Sequence, residues 1–413
     1  QYEGIARCNT SLTYIPTVPC DSDMNESLKQ RLLGEAYFLR AYYYFRLVRA
    51  YGGVPLSLSI ENDDSQWDRA RSSKEVIYAQ IISDLENAES RLWNKSETSG
   101  ADMGRATKGA AQAMLVKVYM YMHEYAKAKE WGDKFLQDQA AEYSLAPDFA
   151  SNFTIAGENN EESIFEIQYA NEATSDYGSG NGSTRGTFTQ VLTRSRSTNM
   201  GDEGWGFNKP THNLYNEYEE ADSLRRDATI ILLDSAHLGE QDTYLGTSYL
   251  NRKTGLYNAD GTGYTYKNAH NTRGVLNNKQ YRLADFYLLY AEACLGIGDA
   301  STATIYLNKV RTRVGLPTYP GYTFKVNGEE ITSPTLEEAI RHERRMELAM
   351  EGHRWFDLCR WGVAYEVMTA YMALESSEAK AEMQPFKKGV HELLPIPNKQ
   401  RQLNPSLTQN PGY

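Results

Sequence analysis

Hydrophobic side chains between Glu35 and Pro55 cover every face of a helix when they are placed at 100° per residue. Because no face is left for water, the segment predicts a helix enclosed by other helices. Three arginines interrupt it, and its unbroken apolar length is too short to span a bilayer. Gly52 and Gly53 end the helix, and Pro55 prevents its continuation. The aromatic residues of this helix are Tyr37, Phe38, Tyr42, Tyr43, Tyr44 and Phe45.

Helical periodicity recurs along the chain in pairs of segments. A capping box formed by Ser72 and Glu75 predicts a helix that runs to about Trp93. Two helix pairs are predicted at 107–137 and 281–314. Their spacing is typical of the tetratricopeptide repeat. We therefore expect a mainly α-helical protein, with helical repeats over about 28–137 and 281–314.

Alignment of the two helix pairs matches individual positions of the repeat. His123 aligns with Gly298, and Ala128 aligns with Ala303. Val116 stands where the repeat usually has a small residue, so the earlier pair is a degenerate repeat. The later pair, at 281–314, keeps small residues at its aligned positions.

The region of about 138–275 has a different character, because it is rich in Gly, Asn, Ser, Thr and Tyr. One strand is predicted at Ser163–Tyr169 and one helical patch near Thr211–Glu220. Loops of this length in a compact protein are usually functional or disordered, and the aromatic content argues against disorder. A capping box at Thr335 then opens a C-terminal helix. The Pro-rich and Asn-rich tail that ends the part 335–413 is predicted to be non-helical and to lie across the helices.

Composition excludes several classes of protein. The chain has 413 residues, of which 41% are hydrophobic and 23% charged, so it can bury a core. The net charge of −11 argues against nucleic acid, since binding to phosphates needs a basic surface. Cys294 and Cys359 lie in helical patterns and are predicted core residues. Cys8 and Cys20 are either free or bridged.

No catalytic or cofactor motif is present. The sequence lacks HExxH, the phosphate-binding loop, GxSxG and zinc-ligand spacings, so neither a metal nor a cofactor is expected. The charged residues near the end of the chain instead predict a structural ion-pair lattice that ties the last helix to its neighbours. The members of this lattice are Arg282, Asp285, Glu343, Arg344, Glu347, Arg354, Asp357 and Arg360.

Five separated blocks resemble the SusD/RagB family, the surface nutrient-binding lipoproteins of gut-type bacteria. The first runs from Gly34 to Pro55, and the second reads ERR…EL…EG.RWFDL from Glu343. The third combines Leu394-Pro395-Ile396-Pro397 with the closing residues 409–413. A fourth surrounds Arg282, and a weaker fifth is Gly204-Trp205-Gly206. The chain departs from the family at its start, where members carry a lipidated cysteine and a further helical stretch.

The resemblance implies one SusD-like domain over 1–413 whose N-terminal part is absent, built on tetratricopeptide-like units with an irregular region packed on them. It also implies a surface-exposed lipoprotein of the outer membrane, held there only by a lipid anchor missing from this chain. Members capture glycans without catalysis and deliver them to a TonB-dependent, SusC-like transporter. We therefore expect a glycan ligand and a transporter partner, with no nucleic acid and no cofactor.

Sugar binding without catalysis needs flat aromatic faces for stacking and polar side chains for the hydroxyl groups. The chain has 30 tyrosines, and the loop-rich region of about 138–275 supplies both kinds of residue. Trp205 is the leading candidate, although its family block also allows a structural role. Ordinary loop packing is the alternative for each tyrosine. The predicted ligand-binding residues are Trp205, Asn208, Tyr177, Tyr249, Tyr257, Tyr264, Tyr266 and Trp67.

Two other functions stay open at this stage. A tetratricopeptide scaffold that binds proteins or peptides would use a concave groove lined by repeat residues. A glycoside hydrolase would need two carboxylates about 5 Å or about 6.5–9.5 Å apart across a cleft, and no pair among the acidic residues stands out.

Overall fold

The computed structural model describes residues 1–61, 68–171, 185–196, 204–233, 248–259, 261, 263–266 and 273–413. The chain forms two compact units. Unit 1 contains Gln1–Glu142, Cys359–Tyr365 and Phe386–Tyr413, and unit 2 contains Tyr143–Leu358 and Glu366–Pro385. The protein is mainly α-helical, as the sequence predicts. Within the described ranges, none of the helices has the length and apolar character needed to cross a membrane.

The elements are numbered in chain order. The helices are α1 Tyr2–Tyr14, α2 Glu26–Tyr51, α3 Lys74–Glu89, α4 Lys108–Tyr121, α5 Tyr125–Asp138, α6 Thr189–Thr193, α7 His212–Glu217, α8 Ser223–Thr229, α9 Arg252–Gly255, α10 Leu283–Gly296, α11 Ala300–Arg313, α12 Leu336–Leu348, α13 Arg354–Arg360, α14 Ala364–Leu374, α15 Ser377–Glu382 and α16 Asn398–Leu403. The strands are β1 Ser163–Ile167, β2 Ile230–Leu232, β3 Tyr249–Asn251, β4 Asn278–Arg282, β5 Phe324–Val326 and β6 Glu329–Ile331. They pair antiparallel as β1 with β4, β2 with β3, and β5 with β6.

Helix α2 is enclosed by its neighbours, which confirms the prediction from its all-round hydrophobicity. Helices α1 and α3 pack against it, and Phe38 and Tyr44 are fully buried. The Tyr44 hydroxyl donates to the Ser57 carbonyl at 2.9 Å and accepts from the Ser57 N–H at 2.7 Å. Arg40 is also buried and donates to both Asp84 carboxylate oxygens, at 2.8 and 2.7 Å. The charge inside this helix layer is therefore paired.

The two predicted helix pairs are α4–α5 in unit 1 and α10–α11 in unit 2. Ala128 and Ala303 are fully buried, as their small size at the aligned positions predicts. The turns also correspond, because both His123 (φ 60°) and Gly298 (φ 87°) adopt a left-handed conformation. Glycine reaches this conformation without strain, whereas a side chain with a Cβ does not.

The shared left-handed conformation of His123 and Gly298 predicts that two matched substitutions change the free energy of unfolding in opposite directions. His123→Gly should raise the free energy of unfolding by about 0.5–1 kcal/mol, since it relieves the left-handed strain. It loses the 3.1 Å contact with the Tyr125 hydroxyl and an edge-on contact with the Tyr125 ring, both exposed. Gly298→Ala should lower it by about 1 kcal/mol. A Cβ at Gly298 would meet no atom within 4 Å, so its cost is conformational alone. Chemical denaturation measures both, and a loss of stability in His123→Gly would contradict the assignment.

Several details differ from the sequence predictions. The N-cap of α3 is Ser73 rather than Ser72, and its hydroxyl accepts from the Val76 N–H. Cys8 and Cys20 are both free thiols. Cys294 is fully buried as predicted, whereas Cys359 is only half-buried. Its Sγ contacts the Glu392 carbonyl, so it lies at the edge of the packing and not in the core.

The C-terminal tail lies across the end of α2, as predicted, but it is not free of helix. Residues Asn398–Leu403 form α16, because Pro397 stands at its N-cap and does not obstruct the following turn. Asn410 is buried and donates to the carbonyls of Tyr51 and Leu394, at 3.0 and 2.8 Å. Arg71 donates to Asn410 Oδ1 at 2.6 Å. These bonds attach the tail within unit 1.

A buried ion network surrounds α12 in unit 2, as the charged pattern predicts for Arg282, Glu343 and Glu347. Glu347 accepts from Arg282 at 2.5 Å, Arg313 at 2.6 Å and Arg225 at 3.1 Å, and all four side chains are nearly or fully buried. Glu343 accepts from Arg225 and Arg311. Further members are Glu162, Glu219, Asp222, Lys253 and Glu351. Arg344 bridges Asp285 and Asp357 nearby.

Two carboxylates of the network, Glu351 and Glu219, predict loss of stability in acid. Burial raises the pKa of Glu351 and of Glu219, but the surrounding cations outweigh it and hold both values at about 2, below the usual 4.5. A depressed carboxyl pKa contributes stability above the unfolded value, and this contribution is lost as pH falls through the folded value. The free energy of unfolding should therefore stay level from pH 7 to about 5 and fall towards pH 2. Denaturation curves at stepped pH test this, and equal stability at pH 5 and pH 3 would contradict it.

Candidate ligand-binding site

Trp205 is held on a rigid backbone in unit 2. Residues 204–207 bond to the carbonyls of residues 191–195 through four N–H groups, at 2.7–3.0 Å. A Cβ at Gly204 would overlap the Arg194 carbonyl oxygen, and Gly206 has φ 66°. Both glycines are therefore required for the close approach of the two segments. The Trp205 side chain, at 39% exposure, projects from this fixed backbone to the surface.

Two phenylalanines flank Trp205 and form with it an exposed aromatic platform. The Phe188 ring lies 5.2 Å from the Trp205 ring, and the Phe207 ring 6.2 Å from it, both edge-on. Phe207 is 57% exposed. The Arg273 guanidinium lies 5.2 Å from the Phe188 ring centre. Flat, partly exposed rings of this kind offer faces on which an apolar ligand surface can stack.

A cavity of about 220 Å³ is lined in part by residues that neighbour the platform residues in sequence. Thr187 and Thr189, on either side of Phe188, contribute to its wall. Asn208, which follows Phe207, is exposed and also lines it. Its other residues are Asn152, Phe153, Gln190, Thr193, Lys253, Thr254, Leu276, Asn277, Asn278, Lys279, Met350, Glu351 and Gly352. Of the sequence-predicted residues, Trp205 therefore belongs to the aromatic platform, and Asn208 lines the cavity.

Gln190 is the unusual residue of this cavity. Its side chain is buried, with 1% exposure, and neither Nε2 nor Oε1 has a hydrogen-bond partner among the described residues. A buried amide without a partner costs roughly 1–3 kcal/mol. Gly274 makes room for this carboxamide, because a Cβ there would overlap Gln190 Oε1. Backbone bonds of 2.7 and 2.6 Å between Thr187 and Gly274 fix the position of that glycine.

The charged groups that line the cavity are already paired. Lys253 donates to Glu351 at 2.7 Å and to the Glu347 carbonyl at 3.0 Å. Burial lowers the pKa of Lys253 to about 8. Lys279 pairs with Glu166 and donates to the Gly157 carbonyl at 3.0 Å. The walls therefore offer polar contacts but little net charge.

The tyrosine candidates occupy other positions. Tyr249 is buried, stacks on Tyr215 at 4.9 Å and bonds to His212 Nδ1 at 2.8 Å. Tyr257 is also buried, and its hydroxyl accepts from the Ser195 N–H at 3.1 Å. Both rings belong to hydrophobic clusters of the core, so neither presents a face to solvent here.

Tyr264 and Tyr266 are half-buried and lie around Arg194. The Arg194 guanidinium lies 3.9 Å from the centre of the Tyr264 ring and donates to the Tyr266 carbonyl at 3.3 Å. Tyr177 and Trp67 fall outside the described residues. Within those residues, no group of three or more His, Cys, Asp or Glu side chains is placed to hold a metal ion.

Unit 1 contains a larger cavity of about 640 Å³, lined by parts of α1, the end of α2 and the tail. Its arginines are engaged: Arg69 donates to the Leu56 carbonyl, and Arg71 to the Gly53 and Tyr51 carbonyls. Its described lining residues include no buried polar side-chain atom without a partner. Among the described lining residues of the two cavities, only Gln190 of the unit 2 cavity has buried polar atoms without a partner.

Sequence reasoning missed Phe188, Phe207, Gln190 and Arg273. Phe207 could have been noticed as a second aromatic beside Trp205. Phe188 and Gln190 carry no such signal, because their roles depend on the pairing of Thr187 with the distant Gly274.

Known proteins resemble this chain over its whole length. Residues 233–413 match the profile described as the SusD family, and residues 1–120 match one described as starch-binding associating with outer membrane. A SusD-like protein of Bacteroides ovatus is 29% identical over 388 residues, which cover 87% of this chain and 64% of that protein. The chain thus spans less than two thirds of the length of that relative. The starch-binding protein SusD of Bacteroides thetaiotaomicron is 25% identical, covering 94% of this chain and 73% of that protein.

Solved structures agree with the sequence matches. A laminarin binding SusD-like protein is 32% identical and superposes with a TM-score of 0.79, covering all of this chain and 84% of that one. Surface glycan-binding protein A from Bacteroides fluxus is 26% identical with a TM-score of 0.81, over the same shares of the two chains.

Proposed function

The chain belongs to the SusD/RagB family, and from this premise we propose that it binds a glycan on the aromatic platform of unit 2. The observation that carries the proposal is a surface tryptophan on a fixed backbone, flanked by two phenylalanines. Residues next to these phenylalanines in sequence line a cavity. Sugar rings have apolar faces that stack on aromatic rings, and hydroxyl edges that need polar partners. The relatives named for laminarin, glycan and starch binding support the same ligand class.

We further propose that binding is non-catalytic. Glycoside hydrolysis needs two carboxyl groups directed at one bond. The described wall of the cavity has one carboxylate, Glu351, and both of its oxygens accept from Arg282, with Lys253 a further donor. This carboxylate is already committed to the ion network, which supports a binding role.

Delivery to a TonB-dependent transporter and attachment to the outer membrane are parts of the same proposal. Their support is family membership, together with the profile description that associates starch binding with the outer membrane. Co-purification of the full protein from membranes with the transporter encoded next to it tests the proposed transporter partnership independently of glycan binding.

Isothermal titration tests the binding function. We expect one of laminarin oligosaccharides, maltohexaose or another neutral oligosaccharide to bind with a Kd between about 1 µM and about 1 mM. Because stacking and neutral hydrogen bonds dominate, the Kd should change little between low and high salt. Absence of binding to every oligosaccharide, or sustained release of reducing ends by the purified protein, would contradict the proposal.

A further inference from the structure

The helix pairs α4–α5 and α10–α11 correspond position by position. Both first helices have 14 residues, and so do both second helices. The alignment of the two pairs therefore extends along them without a gap. It matches Lys134 of α5 with Lys309 of α11. In the first helices it matches Gln112 with Tyr287, so the contacts made at these positions can be compared between the two units.

In unit 1, the two matched positions hold a pair of carboxylates. Lys134 donates to Glu89 of α3 at 2.6 Å and to Asp138 at 3.0 Å. Gln112 donates to the same two carboxylates, at 3.0 and 2.8 Å. The Lys134 ammonium also lies 5.7 Å from the centre of the Trp131 ring. The lysine and the neighbouring amide thus form a carboxylate site with two donors.

In unit 2, the matched positions also carry two donors. The Lys309 ammonium lies 4.6 Å from the centre of the Tyr306 ring and 5.3 Å from that of the Tyr287 ring. Among the described residues, no carboxylate lies within ion-pair distance of Lys309. The Tyr287 hydroxyl has no hydrogen-bond partner in the same part of the chain and is open to solvent. Burial raises the pKa of Tyr287 to about 12, so its hydroxyl keeps the proton at neutral pH and can donate.

Neither carboxylate of the unit 1 site has a described counterpart in unit 2. Asp138 aligns with Arg313, whose guanidinium donates to the buried Glu347 at 2.6 Å and belongs to the ion network. Glu89 belongs to α3, which packs against α4. A lone surface lysine would carry no meaning, but Lys309 has a second donor beside it, and the same two positions bind carboxylates in unit 1. The pair is therefore suited to a carboxylate from another molecule.

Both donors line an open hollow of about 650 Å³ in unit 2, which we call the α10–α11 hollow. Its volume lies within the roughly 300–1,000 Å³ of ligand pockets. Hydroxyl groups predominate among the polar groups of its described wall, and they belong to Tyr143, Ser144, Tyr287, Thr304 and Thr312. Thr304 and Thr312 donate to carbonyls of their own helix, so their oxygens can still accept.

The apolar part of the wall is small. Its described aliphatic side chains are those of Leu145 and Ile305. A helix of a protein partner would lay an apolar face into a hydrophobic groove, and this wall does not form one. A ligand that combines a carboxylate with several hydroxyl groups fits the wall better.

We propose that the α10–α11 hollow binds an acidic sugar unit, a uronate, whose carboxylate accepts from the Lys309 ammonium and from the Tyr287 hydroxyl. The carboxylate takes the place that Glu89 has in the matching site of unit 1. The hydroxyl groups of the sugar meet the hydroxyl groups of the wall. The hollow shares no residue with the aromatic platform and takes a charged ligand, so the inference does not depend on the binding of a neutral glycan there.

Calorimetric titration of the full chain tests the inference. The probes are trigalacturonate and a β-1,4-linked triglucuronate, each beside its methyl ester, which keeps the sugar rings and removes the charge. We expect one of the two acids to bind with a Kd below about 1 mM. Its methyl ester should bind at least about tenfold more weakly, because it cannot form charge-assisted hydrogen bonds. Full affinity of the ester would overturn the role of the carboxylate.

Two substitutions address the donors. Lys309→Met keeps the aliphatic stem over the tyrosine rings and removes the charge, so it should weaken uronate binding at least about tenfold. Tyr287→Phe removes the hydroxyl alone and should weaken it about threefold or more. The control is Lys325→Met, because Lys325 is an exposed lysine of unit 2 and its loss changes the net charge equally. All three variants should melt like the wild type, and equal uronate affinities of Lys309→Met and Lys325→Met would exclude the hollow as the site.

The results also separate this inference from the other possibilities. Binding of hexaglutamate as tight as that of the uronate would overturn the sugar as the ligand class and favour a protein segment. If the wild type binds neutral oligosaccharides but neither acid, the inference is overturned and the proposed function stands. Uronate binding that Lys309→Met abolishes and Trp205→Ala leaves intact supports the inference, whatever the neutral probes show.

Discussion

Replacing Glu347 by glutamine is expected to lower the free energy of unfolding by about 3–5 kcal/mol. The Glu347 carboxylate is fully buried and accepts from three buried arginines, Arg225, Arg282 and Arg313. These arginines keep its pKa well below the usual value in spite of burial. Glutamine preserves the shape but removes the charge, so the arginines lose part of their compensation in a region that water does not reach.

A matched control lies on the same helix. Glu337 pairs with Arg341 at the surface of α12, where the glutamate side chain is 59% exposed. Glu337→Gln should change the free energy of unfolding by no more than about 0.5 kcal/mol, because exposed pairs contribute little. Chemical denaturation of both variants at pH 7 measures the difference. Similar values for the two would mean that the network adds no stability and serves another purpose.

Replacing Trp205 by alanine is expected to weaken glycan binding by about 30-fold or more. Central aromatic contacts typically contribute 2 kcal/mol or more to binding, and about 1.4 kcal/mol corresponds to a factor of ten. The fold should tolerate the change, since the ring is partly exposed and the backbone bonds of residues 204–207 do not involve it. Trp205→Phe should retain part of the affinity because it keeps a stacking face.

The control for this prediction is Tyr14→Ala. Tyr14 is a 58% exposed aromatic residue at the end of α1. It belongs to unit 1, whereas the residues of the aromatic platform belong to unit 2. Titration of each variant with the best neutral oligosaccharide, after a melting curve to check folding, gives the comparison. A Trp205→Ala protein that is folded and binds like the wild type would remove the platform as the site.

Much of the helical frame could be predicted because its signals are local. The hydrophobicity of α2 on all faces required enclosure, and the repeat spacing predicted the helix pairs α4–α5 and α10–α11. The family was also predicted correctly, from the separated sequence blocks. Each of these signals lies within a few helical turns of the chain.

The site could be predicted only in part. In a loop, the positions whose side chains point inward do not recur at a regular spacing along the sequence, as they do in a helix or a strand. Tyr249 and Trp205 are both aromatic residues of the loop-rich region, and the sequence does not distinguish them. Tyr249 packs inward because its short strand β3 pairs with β2. Of the arginine partners of Glu347, Arg282 was predicted as a member of the lattice, whereas Arg225 was missed for a similar reason. Arg225, on the short helix α8, and Glu162, which pairs with Arg282, come from the loop-rich region, where position depends on contacts far away along the chain.

Because glycines stand on either side of Trp205, the backbone shape of this surface does not depend on which side chain is at position 205. Gly204 and Gly206 satisfy the steric demands of the turn, and the hydrogen bonds there come from main-chain groups alone. Exchange of the side chain at position 205 therefore leaves the turn intact. If Trp205 is the binding residue, substitutions at this single position should change ligand affinity more than they change the free energy of unfolding.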